Sequence, residues 1–122
     1  MPPFKSKHLS VVTLWAEDVP TTVHFYRDVL GLDLLPGHGH MPAFDLGGGA
    51  HLVIAKGQPC PPRHAERPHF PAIAFAVHDL DQAIEHLESC GVELPWGIQA
   101  GQDTRWAVFR DPAGNLVELA QL

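Results

Sequence analysis

Three kinds of side chain in this sequence could bind or transform a small molecule: a carboxylate, a guanidinium and tryptophans. Glu118 and Arg110 lie in two β-prone runs near the end of the chain. A carboxylate that is partly removed from water can act as a general base, since burial raises its pKa. A guanidinium can hold a substrate carboxylate through hydrogen bonds. Trp15, Trp96 and Trp106 offer flat apolar surfaces that stack on planar or cationic groups.

The histidines are the other residues that could do chemistry, because histidine is the commonest metal ligand in proteins. The chain has nine, scattered along its length. His38 and His40 flank Gly39, and on a strand this spacing would point both rings to one face and suit a metal. Glycine and proline neighbours favour a loop instead. The pair is therefore a metal-site hypothesis that depends on the local structure.

The composition limits the partners of any such site. The chain has 122 residues, 45% of them hydrophobic, and a formal charge of −6. This charge argues against a nucleic-acid partner and fits a cationic ligand slightly better than an anionic one. No apolar run approaches the roughly 18 to 20 residues that span a bilayer, and the first residues lack a signal peptide. We expect a cytoplasmic protein without a membrane partner, in which Cys60 and Cys90 are reduced.

The elements that must position these side chains occur in a pattern that the chain contains twice. Each copy begins with a β-prone run that ends in aspartate, continues with a helical pattern, and is followed by three short strand-like runs. The first copy has these runs at residues 11–18, 19–30, 32–35, 43–46 and 51–55, and the second at 72–79, 80–90, 92–94, 106–110 and 116–120. Five prolines between the copies predict an extended linker over 57–71.

Local signals mark the ends of both predicted helices. Asp18 and Asp79 can accept hydrogen bonds from the free N–H groups of a first helical turn. Pro20 falls in such a turn, where a missing N–H does no harm. Gly31 and Gly91 suit the left-handed conformation just past a helix end. The two helices therefore have predicted bounds that rest on hydrogen bonding and not on hydrophobicity alone.

Alternation along the strands assigns their two faces. Val12 and Leu14 would pack beneath a helix, whereas Val11, Thr13 and Trp15 would face the other way. The matching face of the second copy would carry Ala72, Ala74, Ala76, Trp106, Val108, Arg110, Leu116, Glu118 and Ala120. Two such curved sheets would form a cup with the profile of a small-molecule pocket, mostly apolar with few polar groups. The same face could instead be buried in a dimer interface, where tryptophan and arginine are also enriched.

These patterns predict the fold class. We expect an α+β fold with two βαβββ modules that form a curved mixed sheet around a cup. Residues 1–122 would be one domain, with module one at 8–56, the linker at 57–71 and module two at 72–122. The modules could pair within one chain or be swapped between two copies of a homodimer.

Two segments resemble motifs of the vicinal oxygen chelate superfamily, which includes glyoxalase I, extradiol dioxygenases and bleomycin resistance proteins. Residues 18–31 (DVPTTVHFYRDVLG) resemble the superfamily's first-helix segment, and residues 110–119 (RDPAGNLVEL) resemble its closing motif. The resemblance extends from about residue 8 to the end of the chain. It implies the fold of two βαβββ modules and a small-molecule site, but it leaves the activity open.

The resemblance also implies where enzymatic relatives hold a divalent metal, with ligands from the first and last strands of the modules. At the matching positions this chain has Val11, Ala72, Val53 or Ile54, and Glu118. Only the glutamate can bind a metal, and three protein ligands are the usual minimum for a catalytic site. We therefore expect no metal cofactor, with Glu118 and His51 as the residual candidate ligands.

Three functions follow as hypotheses. The first is a metal-free binding or drug-sequestering protein, similar to the metal-free bleomycin-binding members. Its homodimer would present a cup lined by Val11, Thr13, Trp15, Ala72, Ala74, Trp96, Trp106, Val108, Arg110 and Glu118. The second is a metal-dependent lyase, isomerase or dioxygenase with Glu118 as ligand or general base. The third is a regulatory or immunity-type subunit with a vestigial cup. Glu118 could also simply form an ion pair with Arg110 or Arg105. We favour the first hypothesis.

Overall fold

A computed structural model describes residues 3, 6, 8–37, 41–59 and 72–121. Its elements are β1 (Val11–Ala16), α1 (Val19–His24), a π-helical turn (Phe25–Val29), β2 (Asp33–Leu34), β3 (Ala43–Asp45), β4 (His51–Lys56), β5 (Ala74–Ala76), α2 (Leu80–Ser89), β6 (Ile98–Ala100), β7 (Arg105–Arg110) and β8 (Leu116–Gln121). The His38–His40 pair, Cys60 and most of the predicted linker lie outside the described residues.

The strands form two four-stranded sheets of the same design. The strand orders are β1-β4-β3-β2 and β5-β8-β7-β6. In each sheet the first strand of the module pairs in parallel with the last one, and the other pairings are antiparallel. The predicted α+β fold of two βαβββ units is therefore confirmed. None of the helices in the described ranges is long and apolar enough to cross a membrane.

Both helices begin at the predicted aspartates. The Asp18 carboxylate accepts hydrogen bonds from the backbone N–H of Thr21 at 3.1 Å and from its hydroxyl at 2.8 Å. The Asp79 carboxylate accepts one from a backbone N–H in the first turn of α2, also at 3.1 Å. Gly31 and Gly91 have φ angles of 79° and 76°, in the left-handed region where glycine is favoured. Local capping therefore sets the start of both helices and the end of α2 near Gly91, as the sequence predicts.

The first helix differs from the single helix predicted over residues 19–30. After His24 it widens into a π-helical turn, in which the backbone N–H of Leu30 donates to the carbonyl of Phe25 at 3.0 Å. The wider turn lets two consecutive aromatic residues, Phe25 and Tyr26, both point into the core. Their rings meet edge to face, with centroids 5.1 Å apart. Tertiary packing of this aromatic pair explains a departure that helical periodicity cannot reveal.

The strand predicted over residues 92–94 is wrong, and β6 lies instead at Ile98–Ala100. One sheet-like hydrogen bond remains there, from the backbone N–H of Arg110 to the carbonyl of Glu93 at 3.0 Å. Pro95 follows directly. Proline has no N–H to donate to a ladder, so pairing does not continue past it and the chain turns before β6.

The helix-facing sides of the two sheets share one hydrophobic core. Its buried strand residues are Leu14, Ala16, Phe44, Leu52 and Ile54 from the first sheet and Phe109, Val117 and Leu119 from the second. Phe25 of the first module contacts Phe109 of the second, with ring centroids 5.8 Å apart. Because the helix-facing sides of both modules contribute to this core, the opposite faces of the two sheets point away from it.

The turn between β7 and β8 fixes the second module to the first. Asp111, which is 3% exposed, accepts hydrogen bonds from three backbone N–H groups of its own turn at 2.8–3.0 Å. Its other oxygen accepts from the Tyr26 hydroxyl at 2.8 Å and from the Asn115 side chain at 3.0 Å. The Asn115 amide also donates to the carbonyl of Trp15 at 2.9 Å. This network holds the end of β1 and the π-helical turn against the second module.

Candidate ligand-binding faces

The first sheet exposes the face predicted from strand alternation. Strand register places Val11 opposite His51, Thr13 opposite Val53 and Trp15 opposite Ala55, and places Val53 opposite Ala43. Residues directly opposite one another point to the same side of a sheet, and these residues form what we call the first cup face. Val11 is 49% exposed and Trp15 45%, whereas Leu14, which points to the core, is 8% exposed.

The second sheet places most of its predicted residues on one face as well. Register aligns Ala74, Glu118 and Val108 in one row, Ala76, Ala120 and Trp106 in the next, and Arg110 with Leu116. We call this set the second cup face. Two predicted residues lie off these rows. Ala72 precedes β5, which is regular only over Ala74–Ala76, and Trp96 lies in the turn before β6.

Glu118 has a half-buried side chain at the centre of the second cup face, next to Ala74 and Val108. The ion pairs considered for it from the sequence do not form. Arg105 binds Asp81 instead, at 2.9 Å. Arg110 is paired with another glutamate. Within the described part of the chain, the Glu118 carboxylate forms no ion pair or side-chain hydrogen bond, so it is free to bind a ligand.

Arg110 is tied to the protein itself. Its Nε lies 2.5 Å from a carboxylate oxygen of Glu93, and one of its terminal nitrogens donates to the carbonyl of Gly114 at 3.2 Å. Its side chain is only 10% exposed. Two of the three guanidinium nitrogens are therefore already bound within the protein. Arg110 therefore stabilises the β7–β8 turn in this arrangement, which weakens the hypothesis that it holds a substrate carboxylate.

Two glycines that the sequence did not single out lie against the tryptophans of the cup faces. A methyl group at Gly57 would come within 2.8 Å of Cε3 of Trp15, and one at Gly101 would lie 3.4 Å from Cζ3 of Trp106. Gly57 directly follows β4, although the sequence assigned it to the linker. Gly57 follows β4, and β4 pairs with the strand that bears Trp15. This position is a weak sequence signal that could have identified Gly57.

Among the described residues, those at the positions that the resemblance implies do not fit a catalytic metal. The positions where the resemblance implies ligands hold Val11, Ala72, and Val53 or Ile54, and hydrocarbon side chains have no lone pair to donate. No group of three or more histidine, cysteine, aspartate or glutamate residues in the described ranges is arranged to hold a metal ion. His51 lies on the first cup face beside Val11, and Glu118 lies on the other sheet. Together the two cup faces offer a carboxylate, aromatic rings and exposed apolar surface.

Comparison with known proteins agrees with the fold. Residues 8–119 match the family model of the Glyoxalase/Bleomycin resistance protein/Dioxygenase superfamily. The uncharacterized protein YaeR of Escherichia coli (strain K12) is 28% identical over 123 residues, which cover 93% of this chain and 95% of YaeR.

Two solved structures share the fold of this chain. TnmS3, an antibiotic binding protein from Streptomyces sp. CB03234, is 27% identical with a TM-score of 0.75, covering 97% of this chain and 98% of that one. Lactoylglutathione lyase from Agrobacterium tumefaciens is 23% identical with a TM-score of 0.71, covering 95% and 94%. The likeness to the lyase is one of fold alone.

Proposed function

Because the chain belongs to the glyoxalase/bleomycin resistance protein/dioxygenase superfamily, we propose that it is a metal-free binding protein for cationic aromatic small molecules. The observation that carries this proposal is Glu118, a half-buried carboxylate without a partner among the described residues, on an apolar face that also bears Trp106. Its role would be to sequester a ligand, and no reaction is required of the site.

The chemistry of the two cup faces selects the ligand class. A carboxylate flanked by alanine and valine pairs most favourably with a cation, because a charged partner offsets its loss of hydration. Alanines leave room for a flat molecule, and Trp106 and Trp15 can stack on its rings. An anionic ligand is disfavoured, because Arg110 is engaged by Glu93 and the chain carries a formal charge of −6.

A second copy of the chain would complete the cup. The exposed apolar residues Val11 and Trp15 lie on a face that points away from the shared core. The strands that begin the modules, β1 and β5, are both at sheet edges, and bare edges and apolar faces favour association. In a two-fold dimer, the first cup face of one copy would oppose the second cup face of the other, twice over. We therefore propose a homodimer with two equivalent cups.

The relatives lend this proposal unequal support. TnmS3 is an antibiotic binding protein, and the likeness to it extends over nearly the whole of both chains. The likeness to the lyase carries no argument for catalysis, because identity is below the level at which more than the fold can be transferred. The positions without metal donors also favour binding over metal-assisted chemistry.

Binding can be tested with two probes that share a ring system and differ in charge. Proflavine is a planar cation at neutral pH, and acridine is its largely neutral parent. We expect fluorescence anisotropy to show that proflavine binds and that bleomycin competes with it. Glu118→Gln keeps the shape of the side chain and removes its charge. It should therefore lower the affinity for proflavine roughly 10- to 100-fold, the range for a hydrogen bond to a charged group. Acridine affinity should not change.

Glu88→Gln on the exposed face of α2 is the matched control, because it changes the net charge equally but lies on a solvent-facing helix position. It should leave proflavine binding unchanged. Absence of binding for proflavine, acridine and bleomycin alike, or equal affinity of Glu118→Gln and the wild type for proflavine, would refute the proposal. Stoichiometric manganese, iron, nickel or zinc in protein purified without a histidine tag would favour the enzyme hypothesis instead.

A further inference from the structure

Gly57 lies against the indole ring of Trp15. We infer that Gly57 is a positioning residue that sets the orientation of the Trp15 indole on the first cup face. The effect on ligand affinity rests on the proposed function, whereas the effect on the indole does not. Trp15 is the large aromatic residue of this face, so its orientation determines which flat ligands can stack there.

The backbone brings the glycine and the indole together. The N–H of Gly57 donates to the carbonyl of Ala16 at 3.0 Å, which extends the parallel pairing of β1 and β4 by one residue. Register places Trp15 opposite Ala55, and Gly57 is two residues further along the same strand direction. Alternate residues point to one side. Any side chain at position 57 would therefore emerge on the face that carries the indole.

The indole occupies the space where such a side chain would begin. A Cβ at position 57 would lie 2.8, 3.5 and 3.6 Å from Cε3, Cδ2 and Cζ3 of Trp15, three adjacent atoms of its six-membered ring. The first distance is shorter than non-bonded carbon atoms tolerate. The φ angle of Gly57 is not in the left-handed region, so alanine could adopt the backbone conformation. The requirement for glycine is therefore one of contact with the ring.

The ring would have to respond, since the backbone of Trp15 is held. Its carbonyl accepts the hydrogen bond from Asn115 at 2.9 Å, and Asn115 is itself bound to the buried Asp111. Side-chain torsions prefer staggered wells about 120° apart. Trp15 is 45% exposed, so its indole can turn toward solvent at little cost. Gly57→Ala is expected to reorient Trp15 while the fold remains intact.

Gly101 provides a matched control within the same chain. It faces Trp106, and its φ angle is also outside the left-handed region, but a Cβ there would lie 3.4 Å from Cζ3 of the indole. That distance is close to ordinary van der Waals contact. Gly101→Ala is therefore the same chemical change next to the other cup tryptophan, with little reason for the ring to move.

The orientation of Trp15 can be followed without any ligand by ¹⁹F NMR of the protein labelled with 7-fluorotryptophan. The fluorine then sits on Cζ2, away from the ring atoms that face Gly57. The chain has three tryptophans, and Trp15→Phe assigns the signal of Trp15. Gly57→Ala should shift that signal and increase its exposure to a soluble paramagnetic agent. Gly101→Ala should leave it in place.

Binding supplies the second readout. If proflavine stacks on Trp15, Gly57→Ala should lower the affinity for proflavine roughly three- to tenfold, the range expected for one aromatic pair. The loss should vanish in the Trp15→Phe background, because the smaller ring leaves room for the added methyl group. An unshifted Trp15 signal in Gly57→Ala, or a loss of affinity that persists with Trp15→Phe, would overturn the positioning role. A shifted signal in a protein that binds no probe would support that role and refute the proposed function.

Discussion

Replacing Tyr26 by phenylalanine removes one hydroxyl group and keeps the aromatic ring in the core. That hydroxyl donates to Asp111 at 2.8 Å, across the boundary between the two modules. Tyr26 is fully buried and Asp111 is 3% exposed, so water cannot take the place of the lost donor. The carboxylate would keep its four other hydrogen bonds, all from its own turn. The variant therefore isolates the one bond from Asp111 to the other module.

The size of the effect follows from the charge of the acceptor. A hydrogen bond to a charged group contributes about 1.5 to 3 kcal/mol to stability. Because the carboxylate remains solvated by its own turn, we expect a loss of about 2 kcal/mol in the free energy of unfolding. For a chain of 122 residues this corresponds to a fall of roughly 6 to 12 °C in the unfolding midpoint.

Urea denaturation at one fixed protein concentration measures the loss, since a dimer would make the midpoint depend on concentration. Thr21→Val is a matched control. It also removes a hydroxyl that donates to a carboxylate at 2.8 Å, that of Asp18, but this pair is exposed. Water replaces the lost bond there, so the midpoint should hardly change. If Tyr26→Phe lost no more stability than Thr21→Val, the reasoning from burial would be refuted.

Three further outcomes are expected. Burial, and after it the charge of Asp111, raises the pKa of Tyr26 well above its usual 10.0. The free energy of unfolding should therefore fall as pH rises past about 10. The absorbance of this single tyrosine should show phenolate only when the protein unfolds. A phenolate that titrates near 10 in the folded protein would contradict this. Asp79→Ala should cost about 1 kcal/mol in urea denaturation by removing the cap of α2, and Asp79→Ser should restore most of it; equal losses would exclude capping. The hydrogen bonds from Arg105 are the main cause that lowers the pKa of Asp81. In Arg105→Gln, an NMR titration should show this pKa closer to its usual value, while the unfolding midpoint stays nearly constant. An unchanged pKa would contradict the ion pair.

Local rules explain why much of the fold could be predicted. Asp18 and Asp79 cap their helices through hydrogen bonds that span three residues, so the sequence nearby is sufficient to identify them. The outward face of Val11, Thr13 and Trp15 follows from the two-residue period of a strand. These features depend on neighbours in sequence, and they hold in almost any tertiary context.

The predictions that failed depend on wider context. The strand expected over residues 92–94 does not form, and β7 pairs instead with Ile98–Ala100. The π-helical turn exists because Phe25 and Tyr26 both find space in the core. Neither outcome can be derived from periodicity, because a proline interrupts the first segment and the packing of two aromatic rings decides the second.

The sequence by itself determined the order of the elements, the family and the residue types of the cup faces. Only the tertiary structure decided which of these residues are available. It pairs Arg110 with Glu93, leaves Glu118 without a partner among the described residues, and places Gly57 against Trp15. The physical reason is that helix caps and strand faces depend on atoms a few residues apart. The partner of a charge or the neighbour of a ring depends on which distant segments meet.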